Sequence, residues 1–282
     1  MKGSGEPAPV GGRVAMNPFV LQYRKLKRQV SDLRGYLNFD RRGNDIVRRT
    51  DFTHCPRPVL LLYGFFSTRR TFEVLERRLR RDSYCVWSIN LGGLFDAFNT
   101  HGIDESAEKV REKVERLYAR FPDMGPLSII GHSKGGLIGR YYVKRLGGDR
   151  RVKTLITLGT PHNGSPTAYL GVLTAGVFSK SVWQMTPMSP FIRRLKIGAF
   201  PRGVRFVSMY SKQDRASPFP CCILEDDGTN NLFNVELSGV AHRDFLLKRS
   251  VYEVVRRELA LGYGDPVPEM RIAPTRLLNP VP

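Results

Sequence analysis

The sequence predicts an α/β fold, with a mostly parallel central sheet, helices on its faces and one helical insertion. Three observations lead to this prediction. Short apolar runs alternate with amphipathic stretches over residues 58–261, which is typical of parallel strands joined by helical crossovers. Residues 131–135 read Gly-His-Ser-Lys-Gly between one such run and one such stretch. Residues 166–200 are apolar and interrupted by Gly and Pro, and they are too long for an ordinary crossover.

The individual elements follow from the spacing of apolar residues. Continuous apolar runs predict buried strands, and apolar residues three or four positions apart predict helices. The predicted strands cover residues 59–63, 84–89, 127–130, 152–158, 204–210 and 232–237. The predicted helices cover residues 71–81, 103–120, 134–146 and 242–261. We expect the strand at 232–237 to be the last in the sheet.

Segments of different composition flank the predicted domain over 58–261. Residues 1–57 form a basic extension, in which the apolar spacing over 18–37 predicts an amphipathic helix. Residues 262–282 hold five prolines and are interpreted as a tail. No apolar run is long enough to span a bilayer, and the first residues lack the apolar core of a secretory signal. These features favour a cytoplasmic protein, at most peripheral to a membrane.

The chain is strongly basic, with 45 Lys and Arg against 26 Asp and Glu and a net charge of +19. Two interpretations stay open: a solvated, arginine-rich surface, or attraction to an anionic membrane surface. No nucleic-acid-binding motif is present, so no nucleic-acid partner is expected. The four cysteines, Cys55, Cys85, Cys221 and Cys222, lack C-x-x-C spacing and a metal pattern with histidine. We expect free thiols, no metal and no cofactor.

Ser133 is the predicted nucleophile. It lies at the centre of Gly-His-Ser-Lys-Gly, between an apolar strand and a helix that begins at Lys134. A sharp turn of this kind lifts the serine hydroxyl above the sheet edge, and it leaves no room for side chains two residues away on either side. Gly131 and Gly135 occupy those two places. His132 lies within the turn and is expected to point away from the serine.

A serine nucleophile needs a base, and the base needs an orienting acid. After a nucleophile on this type of turn, the acid and then the histidine follow along the chain. His242 follows the last predicted strand and is preferred to His162, which comes too early for an acid to intervene. Asp214 follows the strand at 204–210 and is the predicted acid. Its rivals, Glu225, Asp226 and Asp227, lie further along the same loop.

An ester carbonyl that is attacked needs hydrogen-bond donors for the developing oxyanion. One predicted donor is the backbone N–H of Lys134, directly after the nucleophile. The other is the backbone N–H of Phe65, which follows Gly64 in the loop after the first strand. Gly64 allows a tight turn at that place.

Two interpretations of residues 166–200 are open. One is a packed helical insertion, and the other is a lid whose apolar face covers an acyl-binding cleft. Met and aromatic side chains adapt well to flexible acyl chains. The predicted substrate-binding residues are Phe66, Phe178, Trp183, Met185 and Met188.

Two segments resemble the bacterial triacylglycerol lipases of the α/β-hydrolase fold. They are GHSKGGLIGRYYVKRL from residue 131 and VKTLITLGTPHNGSPTAYL from residue 152. The GPI inositol-deacylase-like hydrolases share much of this pattern. The resemblance covers roughly residues 58–260. It implies a triad of Ser133, Asp214 and His242, oxyanion donors at Phe65 and Lys134, and a lid at 166–200.

The chain also departs from the lipase pattern in two places. Those lipases usually begin the oxyanion loop with His-Gly, and this chain has Tyr63-Gly64. Many of them bind a structural calcium beside the catalytic histidine. Asp244 matches one ligand position, but Lys248 stands where another ligand is expected and cannot bind calcium. We therefore expect no calcium site.

The sequence predicts a serine carboxylic-ester hydrolase of the lipase or esterase type, which acts on lipid or acyl esters through an acyl-enzyme. Two alternatives are open. An acyltransferase would use the same acyl-enzyme and pass the acyl group to an alcohol or amine. A membrane-associated binding module with weak or no turnover would account for the basic extension, but it has no need of a complete Ser, Asp and His set.

Overall fold

The computed structural model describes residues 49–92, 99–175, 179–268 and 277–278. Within them, one seven-stranded sheet has the order β2-β1-β3-β4-β5-β6-β7. The strands are β1 (Pro58–Leu62), β2 (Cys85–Ser88), β3 (Leu127–His132), β4 (Val152–Leu158), β5 (Arg205–Tyr210), β6 (Leu232–Glu236) and β7 (Leu277–Leu278). Strands β1 to β6 pair in parallel, and β7 runs antiparallel to β6. The mostly parallel sheet is the one that the sequence predicted.

Helices cover this sheet. They are α1 (Glu73–Arg81), α2 (Ile103–Arg120), α3 (Lys134–Arg145), α4 (Thr167–Ala175), α5 (Lys180–Gln184), α6 (Pro190–Lys196), α7 (Phe219–Cys222), α8 (Asp244–Leu247) and α9 (Arg249–Tyr263). Short 3-10 turns precede α1 at Arg69–Phe72 and follow α3 at Gly148–Arg150. The bounds of α2 and β4 coincide with the sequence prediction, because their apolar spacing is regular over the whole element.

The structure corrects two expectations at the end of the domain. The stretch 242–261 was expected to form one helix, but the extended backbone of Lys248 (φ −69°, ψ 136°) divides it into α8 and α9. Apolar spacing cannot reveal this break, because both pieces bury their apolar residues. The strand at 232–237 was expected to be the last, but Leu277 and Leu278 pair with Val235 and Asn234. A two-residue strand is too short to show a period.

The core is built on the two faces of the parallel strands. All five residues of β1 are buried, as are all six of β3. Parallel strands that are covered on both faces read as continuous apolar runs, and this is why they could be located from the sequence. The carboxyl ends of β1 and β3 to β6 lie at one edge of the sheet, because these strands are parallel. Loops that follow them meet at that edge.

Helices α4, α5 and α6 form the insertion between β4 and β5. Its inner face contributes Phe191, Ile192 and Leu195 to the core, and the Ser189 side chain caps α6 by accepting from the Ile192 N–H. Large apolar side chains on its other face are exposed, namely Tyr169, Leu170, Leu173, Trp183 and Met188. Among the described residues no helix is both long enough and apolar enough to cross a bilayer.

Candidate active site

Ser133 lies at the sharp turn between β3 and α3, with φ 54° and ψ −126°. A non-glycine residue in this left-handed region stores about 1–3 kcal/mol of strain. The two glycines of the pentapeptide make the turn possible. A Cβ on Gly131 would lie 2.5 Å from the Gly136 Cα, and a Cβ on Gly135 would lie 1.9 Å from the Leu62 carbonyl oxygen. Backbone therefore occupies the space of both missing side chains.

Hydrogen bonds hold the strained turn in place. The Ser133 N–H donates to the Leu158 carbonyl at 2.9 Å. The Ser133 carbonyl accepts from the Thr160 hydroxyl at 2.9 Å and from the Gly136 N–H at 3.0 Å. Sequence reasoning missed the part played by Thr160. The available signal was its position two residues after β4, at the same sheet edge as Ser133.

Asp214 and His242 meet at this edge, after β5 and β6. The His242 Nδ1 donates to the Asp214 Oδ2 at 2.7 Å. The Asp214 side chain is buried, and its Oδ1 accepts from the N–H groups of Ala216 at 2.9 Å and Ser217 at 3.0 Å. Three donors thus hold the carboxylate. Since Nδ1 carries the proton, Nε2 keeps the lone pair that a general base needs.

Gly159 leaves the space in which Asp214 and His242 meet. Its φ is 54°, in the region that favours glycine. A Cβ at this position would lie 2.7 Å from the Asp214 Oδ2 and 3.2 Å from the His242 Nδ1. Any side chain here would push the two groups apart. Sequence reasoning did not single out this glycine, because the contact joins residues that are distant along the chain.

His132 supports His242 from within the protein. Its side chain is fully buried, its ring lies 4.6 Å from that of His242, and its Nε2 lies 3.0 Å from the His242 carbonyl oxygen. A carbonyl only accepts, so the His132 Nε2 carries the proton. Burial, and secondly the neighbouring His242, lower the pKa of His132 to about 3. The ring is therefore neutral near pH 7.

The loop after β1 passes directly beside the nucleophile. A Cβ on Gly64 would lie 3.0 Å from the Ser133 Cβ. Phe65 follows it, and Phe66 has a positive φ of 54°. Lys134 is the first residue of α3, where backbone N–H groups have no partner within the helix. The two predicted donor residues therefore flank Ser133.

The Lys134 side chain extends beneath this loop and is fully buried. Its Nζ donates to the Asn99 Oδ1 at 2.8 Å, to the Asn99 carbonyl at 3.1 Å and to the His101 carbonyl at 2.5 Å. The Asn99 amide in turn donates to the Tyr63 carbonyl at 2.9 Å. Burial lowers the pKa of the Lys134 ammonium group well below its ordinary value. Sequence reasoning missed both the buried ammonium and Asn99.

The rival residues are engaged elsewhere. Glu225 pairs with Lys196 at 2.5 Å, Asp227 accepts from the Phe200 N–H at 2.6 Å, and Asp226 accepts from the Gly228 N–H at 3.0 Å. His162 is buried with its Nε2 2.9 Å from the Thr157 hydroxyl, and burial lowers its pKa well below the ordinary value. Of the candidates for acid and base, only Asp214 and His242 are joined by a hydrogen bond among the described residues.

The structure separates the predicted substrate-binding residues. Phe66 is partly buried in the loop after β1, Met185 packs in the core, and Trp183 and Met188 are exposed on the insertion. Phe178 lies outside the described residues. At the position where the resembling lipases bind calcium, a lysine pairs with the aspartate in this chain. The Lys248 ammonium lies 3.0 Å from the Asp244 Oδ2. No group of three His, Cys, Asp or Glu side chains placed for a metal occurs in the described part of the chain.

Comparisons with known proteins bear on the fold and on the class of protein. A family model described as palmitoyl protein thioesterase matches residues 58–196, just under half of the chain. No curated protein sequence matches the chain. Aspergillus fumigatus lipase B superposes with a TM-score of 0.59 at 16% identity, over 76% of this chain and 55% of its own. This chain therefore spans little more than half the length of that lipase.

Two further structures are similar over most of their length. The mature form of Bacillus licheniformis lipase BlEst2 has a TM-score of 0.59 at 15% identity, over 76% of this chain and 96% of its own. Est1E from Butyrivibrio proteoclasticus, with ferulic acid bound, has a TM-score of 0.51 at 14% identity, over 74% of this chain and 94% of its own. These likenesses establish the fold.

The similar structures show an α/β-hydrolase fold, which is the fold that the sequence predicted. The family model makes residues 58–196 similar to a family of thioesterases.

Proposed function

We propose that this protein hydrolyses carboxylic acyl esters through a covalent acyl-enzyme on Ser133. The observation that carries the proposal is the 2.7 Å hydrogen bond between His242 Nδ1 and Asp214 Oδ2, at the sheet edge where the strained Ser133 lies. This bond leaves the His242 Nε2 free to accept a proton. A buried carboxylate with three donors is well suited to hold an imidazolium that forms during the reaction.

Each residue then has one role. His242 takes the proton of the Ser133 hydroxyl as the oxygen attacks the ester carbonyl. The N–H groups of Phe65 and Lys134 bind the oxyanion, and Asp214 holds the imidazolium. His242 returns the proton to the leaving alcohol as the ester bond breaks. It then takes a proton from water, which attacks the acyl-enzyme and releases the acid and free Ser133.

A lipid or long acyl chain is the substrate that we favour. Several exposed residues of the insertion are large and apolar, including Leu170, Leu173 and Met188, and such side chains are suited to contact an acyl chain. The insertion follows β4, so it begins at the sheet edge that carries Ser133. We propose that it acts as a lid over the acyl chain. The lipases among the similar structures support this assignment.

A thioester substrate is the second candidate, and the palmitoyl protein thioesterase family model favours it. The chemistry needs no other residues. Ser133 attacks the thioester carbonyl, and the thiol leaves with the proton that His242 returns. A thiol is a better leaving group than an alcohol, so an enzyme that cleaves esters will also accept thioesters if its pocket fits.

Hydrolysis of p-nitrophenyl esters from acetate to palmitate, and of palmitoyl thioesters, tests the proposal. The wild type is expected to cleave them, with a preference for long chains. Ser133→Ala is expected to abolish turnover. Ser250→Ala, on the partly exposed start of α9, is the matched control and keeps full activity. Turnover that survives Ser133→Ala would exclude the proposed nucleophile.

A further inference from the structure

A basic groove lies along β2, which is the edge strand of the sheet at the end opposite β7. It encloses about 650 Å³. Phe52, Trp87 and Phe121 form apolar parts of its wall, and Trp87 packs edge-on against Phe52 with ring centroids 5.7 Å apart. The lining does not include Ser133, Asp214 or His242. The groove is thus separate from the proposed acyl site.

Helix α2 contributes a row of basic side chains to this groove. Lys109, Lys113, Arg116 and Arg120 are spaced three or four residues apart, so they share one face of the helix. All four are exposed. Like charges at this spacing repel one another and destabilise a helix. A row of this kind therefore points to an anion that relieves the repulsion.

Three more basic residues line the groove from other elements, namely Arg49, Arg69 and Arg80. Its two acidic residues are already paired. Glu76 lies 2.6 Å from the Arg80 guanidinium, and Glu112 lies 3.9 Å from that of Arg116. Among the described residues, no carboxylate is within ion-pairing distance of Lys109, Lys113 or Arg120. The groove thus keeps a net positive charge that the described chain does not neutralise.

Trp87 lies at the wall of this groove. Its side chain is only 5% exposed, and its Nε1–H is buried without a hydrogen-bond acceptor among the described residues. A ligand in the groove would therefore change the surroundings of the indole ring without bonding to its N–H group.

We propose that the basic groove binds a phosphate group. Basic residues exceed acidic ones in its lining by five, so an anion with more than one charge fits better than a single carboxylate. Guanidinium groups bind phosphate oxygens through paired hydrogen bonds, and lysine adds point charges. A phospholipid headgroup and a soluble phosphate ester present this same group. The site lies apart from the reaction centre and goes beyond the proposed hydrolysis.

Trp87 makes the proposal directly measurable. The chain has two tryptophans, so Trp183→Phe leaves Trp87 as the only one. Titration of this variant with pyrophosphate is expected to change its fluorescence in a saturable way. Co-sedimentation with phosphatidylcholine vesicles, with and without phosphatidic acid, measures binding to a lipid headgroup. Binding of either kind is expected to weaken as salt increases, because the cations are exposed.

Substitution of the exposed cations locates the site. In the same background, Lys113→Gln with Arg120→Gln is expected to weaken binding roughly tenfold or more, since both lost contacts are charge-assisted. The matched control is Lys153→Gln with Arg202→Gln, which removes the same charge from exposed positions that lie outside the groove and on other elements than α2. The control is expected to change binding by less than about twofold, in line with screening of distant surface charges. Circular dichroism checks that both variants are folded.

The outcomes separate the sources of the phosphate. A response to pyrophosphate without a preference for phosphatidic acid assigns a soluble phosphate ester. Binding to phosphatidic acid vesicles alone assigns a lipid headgroup, and both outcomes uphold the groove. The proposal is overturned if neither probe binds, or if the control weakens binding as much as the groove variant does. Neither result depends on ester hydrolysis, so failure here is distinct from failure of the proposed catalytic function.

Discussion

Lys134 and Asn99 join the two parts of the proposed oxyanion site. The Lys134 Nζ donates to the Asn99 Oδ1 at 2.8 Å, and the Asn99 Nδ2 donates to the Tyr63 carbonyl at 2.9 Å. Lys134 directly follows Ser133, and Tyr63 directly precedes the Gly64-Phe65 loop. The buried ammonium group thus links the residue after the nucleophile to the loop that carries Phe65. We infer that Lys134 acts as a positioning residue through its side chain.

Lys134→Met tests this positioning role. The variant keeps most of the side-chain volume but removes three hydrogen bonds, so the acceptor oxygens of Asn99 and His101 lose this donor. We expect kcat to fall by up to about 10²–10³-fold with little change in KM, because the loss of one oxyanion donor costs this order of rate. Unfolding should become easier by about 1–3 kcal/mol. Steady-state kinetics and urea denaturation measure the two effects.

The control for that variant is Lys144→Met on the same helix. Lys144 also donates to backbone carbonyls, of Lys196 and Gly198, but at the surface. It should keep wild-type kcat. If Lys134→Met loses stability but keeps the wild-type kcat, its side chain supports the fold alone.

Asp214→Asn tests the pair at the sheet edge. An asparagine fits the same space, but its amide can turn an N–H towards His242 Nδ1 and so place the histidine proton on Nε2. The base would then face Ser133 in the wrong tautomer. We expect kcat to fall roughly 10³–10⁴-fold with the fold intact. Asp226→Asn, at an exposed rival position, should leave kcat unchanged. If Asp226→Asn lowered kcat and Asp214→Asn did not, Asp226 would be the acid of the triad.

Gly159→Ala tests the close approach beside Asp214 and His242. The substitution has two effects. An alanine is strained at the Gly159 φ of 54°, and its Cβ would lie 2.7 Å from the Asp214 Oδ2. Gly198→Ala separates the two effects, since Gly198 has φ 75° but open space around it. Both variants should lose about 1–2 kcal/mol of stability, because an alanine Cβ is strained at a positive φ. Only Gly159→Ala should lose activity, and equal activity in both would show that the pair tolerates displacement.

His132 should make the fold sensitive to acid. Burial lowers the pKa of His132 to about 3, whereas in the unfolded chain it is near 6.5. Between these values the unfolded state binds a proton that the folded state does not. Stability attributable to His132 is therefore complete above about pH 6.5 and falls by about 1.4 kcal/mol per pH unit as the pH decreases towards 3. His162 acts in the same direction, because burial lowers its pKa as well.

Urea denaturation of the wild type and His132→Gln between pH 4 and pH 7 checks this dependence. The variant should be less stable at pH 7, because Gln replaces a ring that fits its buried site. Its free energy of unfolding should fall less steeply as the pH decreases. The two slopes should differ by about 1.4 kcal/mol per pH unit. His54→Gln, at an exposed position, is the control and should keep the wild-type slope. Parallel curves for the wild type and His132→Gln would contradict the prediction, because they would show that His132 binds protons equally in the folded and unfolded states.

The elements and their order could be predicted because their signals are local. Strand β4 and helix α2 were located to the residue from apolar spacing alone. The Gly131 and Gly135 positions follow from the backbone of one turn, and the geometry around Ser133 shows the contacts that require them. The same local signals failed at Lys248, where one backbone torsion divides a helix, and at Leu277 and Leu278, which pair with β6 from a proline-rich tail.

The support around the candidate site has no local signal. His132 reaches the His242 carbonyl across 110 residues, Asn99 reaches Tyr63 across 36, and Gly159 leaves space for a pair that lies far along the chain. In each case, the role of a residue becomes visible only through a contact with a residue that is distant in the sequence. Ser133, Asp214 and His242 were proposed from their places after predicted strands, and their roles are for the substitutions to test. The strands and helices are indicated by short stretches of sequence, because each depends on the spacing of its own apolar residues. The order of the strands in the sheet and the buried contacts depend on how distant parts of the chain meet.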